Sequence, residues 1–266
     1  MELILNPIFF FTQISSVIMM ILTEYCNGLL VKYKNVKVNY TRKINHFILV
    51  LVPIYFNRGF AFQEEYFLYT IGASLAVLKF IFYIKPIRDR IAIINTMFKS
   101  FDRPEDRPNT LLWLSTQMAT AYMVLIPMTI LFNHYNIQHL IYIPILIWGI
   151  GDGLAEPVGI KFGKHKYNVS ALFNGKKYYR TLEGSMCVFL TGLLVIAAYQ
   201  KYFTTSQFIW ALLIIPALMT IAEAFSPHTY LGFTSHVSDR IFIIIWYYDF
   251  YLILLYYSIM NNKYLL

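Results

Sequence analysis

An all-α, polytopic integral membrane protein is the fold class that this sequence predicts, on three observations. Hydrophobic residues make up 58% of the chain, charged residues only 14%, and mean hydropathy is +0.53, a balance far from that of a soluble domain. Apolar segments of about twenty residues, the length that crosses a hydrocarbon core, recur along the whole chain. The basic residues cluster between alternate segments rather than spreading evenly.

The segments fall near 3–22, 44–62, 66–84, 111–132, 138–158, 183–199, 208–225 and 241–260, which predicts about eight transmembrane helices. No small-residue cleavage site follows the first, so it is expected as a retained helix. Pro53, Asn57 and Arg58 interrupt the second, so seven is the alternative count. Residues 1–40 hold the first span and a basic loop, and residues 41–266 form one membrane-embedded domain, with no internal repeat and no linker that would separate a soluble domain. The cysteines, Cys26 and Cys187, lie near or inside apolar runs, which argues against a disulfide framework. The 22 Tyr and 22 Phe suit aromatic belts at the two membrane interfaces.

Charge predicts the orientation. Lys32, Lys34, Lys37, Arg42 and Lys43 follow the first segment; Lys85, Arg88, Arg90, Lys99, Arg103 and Arg107 follow the third. Lys161, Lys164, Lys166, Lys176, Lys177 and Arg180 follow the fifth, and Arg240 precedes the eighth. Eight spans put all of these on one side and leave only Arg58, Lys201 and Lys263 opposite, so the positive-inside rule makes the basic side cytoplasmic. The net charge of +8 is thereby explained by topology and by anionic lipid headgroups, and no nucleic-acid partner is expected.

Acids join the bases after the fifth segment, in GDGLAEPVGIKFGKHKY. On a helix Asp152 and Glu156 are four residues apart and share a face. Adjacent carboxylates repel, so a cation is their natural partner, and Mg²⁺ commonly bridges one or two carboxylates to substrate phosphates. The pairs Gly149/Gly153 and Gly159/Gly163 suit close helix packing. Pro157 is placed to end or kink the helix. A Walker loop is absent, since Gly159 and Gly163 enclose three residues and no Ser or Thr follows Lys164; a dinucleotide fingerprint would need glycine where Leu154 stands. Thr181, Glu183 and Gly184 read as a helix start, where amide dipoles favour an anion and Thr181 or Ser185 can cap the backbone.

These residues resemble a family. GDGLAEPVGIKFGKHKY followed by RTLEGS is similar to the membrane-embedded CTP-using lipid enzymes, the superfamily that contains dolichol kinase, phytol and farnesol kinase, and phosphatidate cytidylyltransferase. Arg42, Lys43 and His46 in TRKINH resemble the Arg-Lys-x-x-His of the polyprenol and phytol kinases. Glu223, Ser226 and Pro227 in AEAFSPHTY resemble the late acidic motif of that branch. The sequence departs where many relatives carry an Asp-Asn pair, having Leu231 and Gly232, with Asp239 nearby. Cytidylyltransferases begin the central motif with other residues than Gly151 and Glu156, so the kinase branch fits better.

The resemblance implies that residues 41–266 form a CTP-transferase-like catalytic domain facing the cytoplasm. It would lie in the inner or plasma membrane of a bacterium, or in the endoplasmic reticulum or another organelle of a eukaryote. Its co-substrate is CTP, its cofactor Mg²⁺ and its acceptor a membrane lipid; oligomeric state is open. Asp152 and Glu156 are the expected metal ligands. Arg42, Lys43, Lys161, Lys164, His165, Lys166, Arg180, Thr181, Glu183, Gly184 and Ser185 are expected around the nucleotide. His46 is a candidate for proton transfer, and Glu223 a candidate ligand or general base. Asp249, flanked by Tyr247, Tyr248 and Tyr251, reads as a hydrogen-bond partner of tyrosines, and His134 and His139 as residues of the opposite interface. The leading expectation is a kinase phosphorylating an isoprenoid alcohol. The alternatives are a cytidylyltransferase making CDP-diacylglycerol from phosphatidic acid, and a transporter or non-catalytic homologue.

Overall fold

The computed structural model describes residues 7–57, 65–170 and 177–225. The chain divides into two compact units, residues 1–122 and 123–266, and each is described by itself.

The first unit opens with α1 (Pro7–Lys34). Its 28 residues extend about 42 Å at 1.5 Å per residue, more than a hydrocarbon core of about 30 Å. The expected end near residue 22 is therefore too early, and Lys32 and Lys34 belong to the helix's last turn rather than to a loop. Asn35, with φ of 52°, breaks the helix, as asparagine tolerates the left-handed conformation that ends helices. The helices α2 (Val38–Asn57) and α3 (Glu65–Phe82) follow, then the single turn α4 (Lys85–Arg88), with Pro86 in its first turn, and α5 (Ala92–Lys99). Both α2 and α5 pack on α1. A Cβ at Gly28 would lie 1.9 Å from the Thr96 carbonyl oxygen, so only glycine lets α1 and the α5 backbone touch. A small core of Tyr83, Met97, Phe98 and Phe101 fills the space beneath.

This unit also buries polar residues. Asn27 Nδ2 donates to Asn45 Oδ1 (2.7 Å), and Asn45 Nδ2 donates to Ser100 Oγ (2.7 Å). The Glu24 carboxylate pairs with Lys79 and accepts from the Tyr83 hydroxyl (2.7 Å). Arg103 and Asp106, 3% and 1% exposed, form a buried ion pair at 2.6 Å, so Arg103 is a structural cation and not a solvated loop charge.

The unit boundary falls within α6 (Thr110–His134), which ends where Asn136 turns to φ 55° and the Ile137 amide returns to the Phe132 carbonyl (3.0 Å). After a 3₁₀ turn at Gln138–Ile141, α7 (Tyr142–Leu146) winds through a π-helical stretch, Ile147–Asp152, into α8 (Gly153–Phe162). An antiparallel hairpin comes next, β1 (Lys166–Ser170) paired with β2 (Lys177–Thr181), a departure from the all-α expectation in a chain that is otherwise mostly helical. Then α9 (Leu182–Ala198) and α10 (Thr205–Phe225) pack on each other.

Among the described residues four helices are long and apolar enough to cross a membrane: Pro7–Lys34, Thr110–His134, Gln138–Phe162 and Thr205–Ala224. This is a mostly helical membrane protein. The expected segments near 44–62, 66–84 and 183–199 coincide with α2, α3 and α9; these are not among the four, and α9 is a shorter apolar helix. The segment near 241–260 lies outside the described residues.

Candidate functional site

The second unit carries the candidate residues along α8 and in the turn that follows it. Asp152 is the last residue of the π-helical stretch and Glu156 lies one turn further on, inside α8; both are half-buried. Single π-helical turns within α-helices occur frequently at functional sites. Pro157, in the same helix, has no N–H to offer the Gly153 carbonyl. The acids thus occupy a stretch in which the backbone pairing is irregular on both sides.

Close packing brings the start of α9 against this helix. A Cβ at Gly159 would meet Thr181 Oγ1 at 2.7 Å, and one at Gly184 would meet the Ala155 carbonyl oxygen at 2.7 Å. A Cβ at Gly163 would meet Thr181 Cγ2 at 2.5 Å. Glycine at 159, 163 and 184 is therefore a condition for the turn at 181–185 to lie beside the residues next to Glu156. Thr181 caps α9 by accepting from the Gly184 amide (3.2 Å), which bears out the expected helix start.

The hairpin sorts the other charged residues by its two-residue alternation. Tyr167 pairs with Arg180 across the strands, and both turn inward with Val169, while Lys166, Asn168 and Tyr179 are exposed. The Tyr167 and Ser185 hydroxyls share a hydrogen bond at 2.6 Å. Arg180 reaches α10, where Nη1 donates to Glu223 Oε1 (2.9 Å), Nη2 to the Glu223 carbonyl (2.8 Å) and Nε to the Ala224 carbonyl (3.3 Å). Two residues expected in the chemistry are thus partners of each other, 8% and 9% exposed.

Glu183 has an equally defined position. Its carboxylate accepts from the Lys164 amide (3.0 Å) and the His165 amide (3.2 Å), and lies 2.8 Å from His165 Nδ1. Glu183 is outside the four long apolar helices. Its own backbone amide, and after it His165 and the amides of Lys164 and His165, hold its carboxyl at about 2, against a smaller opposing effect of desolvation. The anion cradle made by the backbone at 164–165 is therefore filled by a protein carboxylate. The side chains of Lys161, Lys164, His165 and Lys166 remain exposed around it.

In the first unit, Thr41 and Asn45 share one face of α2 and are buried, while Arg42 and His46 lie one turn apart on an adjacent, half-buried face. Lys43 is only 5% exposed. Sequence reasoning passed over Glu24, Asn27, Asn45, Ser100 and the Arg103–Asp106 pair. A polar residue one helical turn from another, as Glu24 and Asn27 nearly are, was the available signal. Ser226, Pro227, Leu231, Gly232, Asp239 and Asp249 lie outside the described residues.

As to metal, among the described residues no group of three or more His, Cys, Asp and Glu side chains is arranged to hold an ion. A two-carboxylate ligand set suits Mg²⁺, which keeps several waters and takes its remaining oxygens from phosphates. No family matches this chain, and comparison with curated proteins and with solved structures returns no significant match.

Proposed function

We propose that this chain is a CTP-dependent lipid kinase that moves a terminal phosphate onto the hydroxyl of an isoprenoid alcohol at the membrane surface. The observation that supports the reading is the glycine-lined packing of α8 on the start of α9: the helix begins just after Asp152, carries Glu156 in its first turn and ends among the exposed Lys161, Lys164, His165 and Lys166. Phosphoryl transfer is catalysed mainly by positioning and charge neutralisation, and this arrangement offers both.

In this reading Asp152 and Glu156 hold Mg²⁺, which when bound neutralises charge on the triphosphate. Lys161, Lys164 and Lys166 attract the triphosphate, and His165 is aimed by Glu183. Arg180 is a positioning residue, kept inward by Glu223, and Thr181, Gly184 and Ser185 fix the turn. Arg42, Lys43 and His46 belong to the first unit, and no step is routed through them; the hydroxyl proton passes to water. The bond that forms joins the alcohol oxygen to the γ-phosphorus; the bond that breaks releases CDP. In this reading the basic loops face the cytoplasm, as their clustering between alternate apolar segments favours.

Membranes containing the full chain, incubated with γ-labelled CTP and phytol, farnesol or dolichol, should yield labelled lipid. Asp152→Asn should lower that yield by about 100-fold or more, the range seen when one electrostatic contact to a transition state is removed. Label entering phosphatidic acid only from α-labelled CTP would replace the kinase by a cytidylyltransferase. No transfer from either label, to any acceptor, would overturn both.

A further inference from the structure

The segment from Ile84 to Ile93, which runs from just after α3 into the first turn of α5, has no part in the proposed chemistry, and its composition is unusual. Ile84, Ile91 and Ile93 are 43%, 41% and 58% exposed, interleaved with Lys85, Arg88 and Arg90. Asp89 is the one acid from residue 83 to 99. The core beneath is made by Tyr83, Met97, Phe98 and Phe101, and the three exposed isoleucines are not part of it. Arg88 is steadied over the Phe98 ring at 3.9 Å.

Depth follows from α1. The last turn of α1 carries Lys32 and Lys34, and such cations mark the ends of membrane spans, where acyl chains give way to headgroups. Gly28 is where the α5 backbone touches α1, near the turn that carries Lys32 and Lys34. The α4–α5 segment therefore meets α1 at the level where acyl chains give way to headgroups. Apolar side chains beside cations are the composition of segments that lie in that layer.

We propose that residues 84–93 form an interfacial anchor that binds phospholipids with anionic headgroups. The isoleucines enter the acyl boundary while Lys85, Arg88 and Arg90 meet the phosphates. This inference is independent of the kinase reading.

The test uses the full chain with Cys26→Ser, Cys187→Ser and Ile93→Cys, labelled with bimane and reconstituted into vesicles whose acyl chains are brominated. One vesicle set is phosphatidylcholine alone; the other contains phosphatidylserine. Quenching at residue 93 should rise with phosphatidylserine and fall with added salt. Lys85→Gln with Arg90→Gln should reduce the preference on the order of 25-fold, from about fivefold for each cation near the surface. In the unsubstituted protein, hydrogen exchange across 84–93 should slow when phosphatidylserine is present, a readout that needs no variant to fold. Equal quenching and equal exchange in the two vesicle types would overturn the proposal, as would a label that reads water in both.

Discussion

The polar residues of the first unit and those of the α8–hairpin–α9 region are similar in kind and differ in the direction they face. In the first region the groups are turned on one another: Asn27 to Asn45, Asn45 to Ser100, Glu24 to Lys79 and Tyr83. A buried polar network of this sort holds helices in one register. In the second region one ion pair, Arg180 with Glu223, is turned inward in the same way, but Lys161, Lys164, His165 and Lys166 point outward. Residue type does not separate the paired, inward charges from the exposed ones here; the direction of the side chain does.

The comparison can be broken at its inward pairs first. Arg180→Leu leaves Glu223 as an uncompensated buried charge, and a loss of about 3–5 kcal/mol is expected. Adding Glu223→Leu should restore much of it in thermal unfolding of the purified protein. Gly28→Leu drives a side chain into the Thr96 backbone, which should cost about 3 kcal/mol, the upper range of overpacking. Glu24→Gln, by weakening a charged hydrogen bond to Tyr83 and the contact with Lys79, should cost about 1–3 kcal/mol.

Acid offers a finer probe. The Glu183 carboxyl is depressed in the folded chain from 4.5 to about 2, so its stabilising contribution is present above the unfolded value. It is lost as pH falls through the interval from 4.5 to about 2. Proteolysis near the hairpin should increase over that interval in the parent chain, and Glu183→Gln should show the looser state already at neutral pH. The smallest effect on folding belongs to the outward cations. Replacing Lys161, Lys164 and Lys166 by Gln should each change stability by no more than about 0.5 kcal/mol, while weakening CTP binding. A large loss of stability on their removal would erase the distinction between the two regions.

Much of this arrangement could be read from residues alone. Hydrophobic runs located α2, α3, α6, α9 and α10, because a segment of apolar residues must be buried or face lipid whatever its neighbours do. The Thr181 cap and the tight Gly159/Gly163 packing were also legible, since each depends on local chemistry. The length of α1 was not. Glu24 and Asn27 looked like the start of a loop, and only the residues that meet them from α2 and α3 make their burial affordable. The hairpin was missed although Asn174-Gly175, a strong turn dipeptide, separates KYNVS from KYYRT. Its lysines drew attention to charge and away from alternation. The partnership of Arg180 with Glu223 spans 43 residues of sequence, and no local pattern announces it.

The central claim is that Asp152 and Glu156 act with the outward cations on a nucleotide. Thermal unfolding of the full chain with CTP, with and without Mg²⁺, measures it most directly. The account predicts that CTP with Mg²⁺ at 100-fold above the dissociation constant stabilises the protein by about 2.7 kcal/mol, that CTP alone does far less, and that Asp152→Asn with Glu156→Gln abolishes the difference. Stabilisation by CTP that is indifferent to Mg²⁺ and survives both substitutions, or no stabilisation at any concentration, would contradict it.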